Sequence, residues 1–233
     1  MPGSERPPLA VTVDVAILTV RLDELQVLLV TRAHEPFSGR LALPGGFIDL
    51  DEDLADAAVR ELEEETGVSG VPVEQLRAYG APDRDPRPER VISVAHVAVL
   101  PEPADVRGGD DASHAAWYDV SGVLAAPERL AFDHATILAD AVEWVRSQLE
   151  HTSLATSFVG ETFSLTELRR VYEAVWGRQL DPGNFQRKVK QTEELVVPTG
   201  ETRLSPTGKG RPAALYRAAR PGVHDLNVPI TRG

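Results

Sequence analysis

Apolar, β-branched runs open the chain. Residues 11–20 (VTVDVAILTV) and 25–30 (LQVLLV) are joined by Arg21-Leu22-Asp23-Glu24, a pattern that predicts a β-hairpin. Arg40 to Leu43 leads into the turn Pro44-Gly45-Gly46. Leu54 to Glu65 is rich in Ala, Leu and Glu and holds neither Gly nor Pro, so it predicts a helix. Asp49, Asp51, Glu52 and Asp53 crowd its start, and Gly67 stands where a left-handed C-terminal cap belongs. Val91 to Leu100 is mostly apolar and predicts a central strand; Ala115 to Val120 predicts a shorter one. From Ala131 to Glu150, the stripe Ile137, Leu138, Ala141, Val142 and Val145 has helical spacing. Strands interleaved with helices predict an α/β domain over residues 1–150, and no internal repeat is visible.

The texture changes at residues 151–157 (HTSLATS), a polar stretch that reads as a linker to a second domain over residues 151–233. Ser164 and Glu167 have the spacing of a capping box, flanked by Phe163 and Leu168 as a hydrophobic staple. Leu165, Leu168, Val171, Tyr172 and Val175 continue as a helical stripe that ends near Gly177. Asp181-Pro182 reads as an N-cap followed by proline at the first helical position, opening a second helix that runs to about Thr192. Residues 194–197 and 214–217 predict two strands around a long loop, residues 198–213. Two helices, a short turn and a β-hairpin form the layout of a winged helix-turn-helix.

Charge sharpens this division. The chain of 233 residues has a net charge of −12, which by itself argues against nucleic-acid binding. Residues 1–150, however, carry 12 Arg, no Lys and 28 acidic side chains, a net of −16. Residues 151–233 carry 12 basic and 8 acidic side chains, a net of +4, and hold all three lysines. Such asymmetry points to two domains with different partners. Along the second helix, Asn184, Arg187, Lys188 and Gln191 share one face, with Lys190 beside it, and Phe185 and Val189 face inward. Arg suits guanine and Asn or Gln suits adenine in the major groove. Lys209 and Arg211 fall in the expected wing, where phosphate contact is expected. A small basic domain for protein contacts or dimerisation is the competing reading. Cysteine is absent, which fits a reducing cytosol, and no apolar run reaches membrane-spanning length. A cytoplasmic protein without a signal peptide or membrane partner is expected.

Residues 46–68 carry the chemistry. They read GFIDLDEDLADAAVRELEEETGV and match the Nudix box, G-x5-E-x7-R-E-U-x-E-E-x-G-U with U aliphatic, at every fixed position. Glu61, Glu64 and Glu65 fall at i, i+3 and i+4 and share a helical face. Near ~6 Å apart they repel by roughly 0.7–3 kcal/mol per pair. A divalent cation with a taste for oxygen, Mg2+ or Mn2+, relieves that repulsion. It would also polarise a phosphoryl oxygen and activate a water. Arg60 and Glu52 can pair across the helix to orient the acids, and Gly46 lets main-chain carbonyls approach the ion. A solvated acidic helix face accounts for one or two glutamates. It does not account for Gly46, Glu52, Arg60 and Gly67 at fixed offsets.

The first ~150 residues resemble a Nudix domain of the ADP-ribose pyrophosphatase kind, through residues 40–49 (RLALPGGFID), 83–87 (DRDPR) and 91–94 (VISV). The tail resembles the winged-helix part of the NrtR family, Nudix-related transcriptional regulators of NAD metabolism. The residues that carry this are 163–168 (FSLTEL), 172–175 (YEAV), Asn184-Phe185 and 211–216 (RPAALY). The resemblance implies a Nudix-type α/β/α sandwich with a mixed sheet, followed by a winged helix. It implies a homodimeric repressor of NAD biosynthesis or salvage genes, bound to double-stranded operator DNA and released by ADP-ribose. Arg40, Arg84, Arg87 and His134 are then effector contacts. Many members have a degenerate box, whereas this one is complete, so hydrolysis of ADP-ribose with Glu52, Arg60 and Glu64 in the catalytic machinery stays open. A base outside the box would come from Asp110, Asp111 or His114, in a segment that also reads as a solvated turn. Residues 83–90 read either as a clamp on diphosphate or ribose or as an exposed loop. Asp133-His134 reads either as pocket wall or as helix cap.

Overall fold

A computed structural model describes residues 8–101, 112–204 and 212–232, with Ala112 and Ser113 described through their main chain alone. β1 (Leu9–Arg21) and β2 (Glu24–Arg32) are joined by a two-residue turn in which Leu22 and Asp23 both take positive φ, at 53° and 63°. That geometry matches the twist of a hairpin. β3 (Leu41–Ala42) and β4 (Gly45–Phe47) lead to α1 (Leu54–Thr66), β5 (Val73–Tyr79), β6 (Arg90–Leu100), β7 (Ala112–Asp119), α2 (Val120–Leu124) and α3 (His134–His151). The seven strands form one mixed sheet in the order β3-β2-β1-β6-β5, with β4 on β1 and β7 on β2. β6 is flanked on both sides, as its apolar run predicts. Asp53 caps α1 by accepting from the Leu54 N–H. Gly67, at φ 72°, ends it in the left-handed region with its N–H on the Glu63 carbonyl. Ile17, Leu18, Leu28, Leu29, Leu43 and Leu62 have essentially no exposure and form the core between strands and helix. Each contributes about 1.5–3 kcal/mol by leaving water.

The chain divides into two compact units. Met1–Leu18, Gln26–Val99 and Pro103–Ala141 make one; Thr19–Leu25, Leu100–Glu102 and Val142–Gly233 make the other. α3 contributes residues to both.

In the second unit, the polar stretch after His151 is not an open linker. Ser153–Phe158 forms a 3-10 helix with Leu154, Ala155 and Phe158 buried, because its apolar residues outweigh its hydroxyls. The C-terminal tail ties to it: Ser153 N–H donates to the His224 carbonyl and Leu226 N–H to the His151 carbonyl. β8 (Phe163–Ser164) enters α4 (Leu165–Trp176), whose capping box is complete, with Ser164 and Glu167 bonded both ways. Leu165, Leu168, Val171, Tyr172 and Val175 are its buried face. Asp181 caps α5 (Pro182–Gln191). β9 (Val196–Arg203) and β10 (Ala213–Ala218) complete a sheet in the order β8-β10-β9. β9 extends six residues past Val197, into what sequence reading leaves as loop, because Thr202 and Arg203 find register partners in Ala214 and Ala213.

Candidate functional site

Arg60 organises the box. Its guanidinium donates to both carboxylate oxygens of Glu52, at 2.6 and 2.9 Å, to Glu61 at 2.8 Å, to Glu64 at 3.1 Å and to the Phe47 carbonyl at 3.2 Å. Glu52 also accepts from the Asp49 N–H at 2.7 Å. Arg60 and then that amide hold the Glu52 carboxyl down at about 2. Glu61 is buried under Gly46, where any Cβ would run into its carboxylate. Burial raises Glu61, opposed by Arg60. Glu65 accepts from the Gly45 N–H at 3.0 Å, yet burial pushes it up to about 8.

The expected convergence of Glu61, Glu64, Glu65 and Gly46 on one cation is not found. Among the described residues no three His, Cys, Asp or Glu side chains are grouped to hold an ion. Arg60 engages both Glu61 and Glu64, and Glu65 turns to the Gly45 amide. Glu61 and Glu65 nonetheless supply two desolvated oxygen donors of the kind a hard divalent cation takes.

Beside the box lies a pocket in the first unit, walled by β1, β2, the Leu43–Phe47 turn, Arg84 to Arg87 and the start of α3. The register of β4 on β1 sets Gly45 opposite Asp14 and brings the box against the pocket floor. Asp14, nearly buried, anchors an internal polar network. It accepts from Ser93, lies 3.5 Å from Arg84 and 3.4 Å from His134 Nε2. Arg84 donates twice to Asp133, at 2.7 and 3.0 Å. Burial works against the Arg84 charge, but Asp133 and Asp14 outweigh it. His134 Nδ1 accepts from the Leu43 N–H at 2.9 Å, and burial lowers its pKa, which keeps that nitrogen free.

Of the four expected effector contacts, Arg84, Arg87 and His134 line this pocket and Arg40 does not. Arg40 lies instead over the Phe37 ring at 5.2 Å. Asp133 gives both carboxylate oxygens to Arg84, so its side chain belongs to the pocket network. Of the suggested bases, Asp110 and Asp111 lie outside the described residues, and His114 is exposed on β7.

The face of α5 is as expected in geometry. Asn184, Arg187, Lys188, Lys190 and Gln191 are exposed, while Phe185 and Val189 are buried. Arg187 donates to Asn184 Oδ1 at 3.0 Å, and Lys188 Nζ reaches Thr231 Oγ1 at 3.3 Å. Lys209 and Arg211 lie outside the described residues.

Comparison with known proteins settles the family. A NUDIX domain model matches residues 10–141, and the NrtR DNA-binding winged helix domain model matches residues 155–218. Over 228 residues the chain is 35% identical to the ADPR responsive transcriptional repressor NtrR of Acinetobacter baylyi, covering 97% of this chain and 88% of that protein. The chain belongs to the NrtR family. Among solved structures, Shewanella oneidensis NrtR complexed with a 27mer DNA matches with a TM-score of 0.77 and 30% identity, over 95% of this chain and 99% of that one. The NUDIX domain of the same NrtR, complexed with ADP ribose, matches with a TM-score of 0.55 and 34% identity, over 62% and 93%.

In this NrtR-family chain the pocket holds residues that sequence reading missed: Asp14, Arg32, Phe47 and Phe132. Arg32 lies 4.8 Å over the Phe132 ring and donates to the Pro36 carbonyl at 2.8 Å; burial, then Arg87, lowers its pKa. One signal was available. Asp14 is a lone acid inside an apolar strand, and a buried carboxylate needs partners.

Proposed function

We propose that this NrtR-family chain is a transcriptional repressor of NAD biosynthesis or salvage genes. It binds operator DNA as a homodimer in the cytoplasm and is released by ADP-ribose. Residues 1–150 act as the sensor and residues 151–233 as the reader. The observation that carries this reading is the exposed amide and basic face of α5, fixed from behind by Phe185 and Val189. It occurs in one chain with an arginine-lined pocket beside a complete Nudix box. The relatives support both halves: one solved NrtR carries DNA, and its NUDIX domain has been solved with ADP ribose. The test is a gel shift on promoter DNA of NAD-synthesis genes, run at low salt with and without ADP-ribose. Retention that ADP-ribose abolishes is expected; no retention sinks the reading.

The complete box favours a second activity, Mg2+-dependent cleavage of ADP-ribose to AMP and ribose 5-phosphate. Glu61, Glu65 and, once released from Arg60, Glu64 would hold Mg2+ or Mn2+. Bound there, the cation supplies a polarised phosphoryl oxygen and an activated water. Glu52 keeps Arg60 in place. AMP release that requires Mg2+ and disappears in Glu64→Gln is expected, and silence across a panel of nucleoside diphosphate derivatives removes this activity.

A further inference from the structure

The pocket wall holds a guanidinium beside two phenyl rings. Arg87 Cζ lies 5.0 Å from the ring centre of Phe47 and 5.7 Å from that of Phe132. Neither ring sits in the hydrophobic core. Phe47 is 48% exposed. Phe132 takes a φ of 50°, which bulky side chains rarely adopt and which persists only where the surroundings fix it. Here they do: Phe37 packs edge-on against Phe132 at 4.9 Å, and Arg32 covers it at 4.8 Å. Among the described residues Arg87 makes one ion pair, with Asp85 at 3.5 Å, longer than the 2.7 Å pair of Arg84 with Asp133.

We propose that the place beside Phe47 and Phe132 belongs to the planar base of the nucleotide effector, and that Arg87, displaced from it, closes on the effector's diphosphate. This deepens the ADP-ribose reading and rests on it. A flat heteroaromatic ring can replace a flat guanidinium against a phenyl face. A diphosphate repays the displaced arginine with forked, charge-assisted hydrogen bonds. The two halves of the ligand then depend on each other. A nucleoside must evict Arg87 without compensation, and a sugar phosphate leaves Arg87 on its rings. The pocket selects compounds that carry base and diphosphate together.

Arg87→Ala separates the halves by sign. Adenosine and ADP-ribose are titrated into full-length wild-type and Arg87→Ala protein and followed by calorimetry or NMR. Adenosine is expected to bind about fivefold tighter to the variant, because two cation–π contacts no longer have to be broken. ADP-ribose is expected to bind about tenfold weaker or worse. Phe132→Leu should weaken adenosine in both backgrounds. Adenosine affinity that is unchanged or reduced in Arg87→Ala, or undetectable in both proteins, overturns the proposal. The ADP-ribose reading fails by a different result: wild-type protein that neither binds ADP-ribose nor gives up DNA to it. The adenosine arm still decides the role of Arg87 in that event.

Discussion

Arg60 serves three carboxylates and a carbonyl at once, so on the proposed reading one side chain competes with a cation for the acids of α1. Truncation to alanine leaves Glu61 buried without its guanidinium, at a cost of roughly 1–3 kcal/mol. For a chain of this size each kcal/mol lowers Tm by about 2–4 °C. The same truncation frees Glu61 and Glu64 for a metal. Mn2+ should therefore raise the Tm of Arg60→Ala more than it raises that of the wild type, and equal shifts in a paired melting series would refute the competition. His134 sets a different dependence. Burial lowers its pKa below the ordinary 6.5, so the unfolded chain takes up its proton first. The stability contributed by neutral His134 is complete above pH 6.5 and is lost as pH falls below it towards the folded value. Melting temperature should decline from pH 7 to pH 5, and less steeply in His134→Gln, which keeps an acceptor for the Leu43 N–H. A variant with the wild-type slope would clear His134 of that role.

At the scale of elements, α5 offers two kinds of positive charge. Lys188 is a point charge on a flexible stem, suited to phosphate. Arg187 is held in a pair with Asn184, suited to base edges. Lys188→Ala should lower the slope of log affinity against log salt by about 0.9, equally on operator and unrelated DNA. Arg187→Ala should cost about 1–3 kcal/mol on the operator alone. Fluorescence anisotropy across a salt series separates the two; identical losses on both DNAs would make Arg187 another phosphate contact. α5 was legible in sequence because its cap, its apolar pair and its polar face are all local. So were α1, with Asp53 and Gly67 at its ends, and α4, with Ser164 and Glu167. β5 was not, because it lies at the end of the strand order and, apart from buried Tyr79, offers little apolar alternation. The 3-10 helix Ser153–Phe158 was not, because its apolar residues are interrupted by hydroxyls that bond locally, as Thr156 does to the Ser153 carbonyl. The pocket was half legible. Its box lies within one contiguous run and Arg84, Arg87 and His134 were expected there, but Asp14, Arg32 and Phe132 come from segments that only the fold brings together.

For the whole molecule, ligand and DNA can influence each other only through a difference in affinity between states of the protein. The two parts differ in charge, with net charges of −16 and +4 in residues 1–150 and 151–233, so they suit different ligands. On the proposed reading ADP-ribose does not compete for the α5 face by likeness to DNA, since the arginine-lined pocket proposed for it lies in the first unit. Release must then obey linkage: the factor by which saturating ADP-ribose weakens DNA binding equals the factor by which saturating DNA weakens ADP-ribose binding. Both factors are measurable on one preparation, by anisotropy of labelled operator and by calorimetry of ADP-ribose with and without operator. Equality in the absence of Mg2+ is the expected outcome. Inequality there would rule out two-site coupling at equilibrium. Inequality that arises only with Mg2+, accompanied by AMP, would instead show that the box consumes its effector, because a ligand destroyed during the measurement cannot close a thermodynamic cycle.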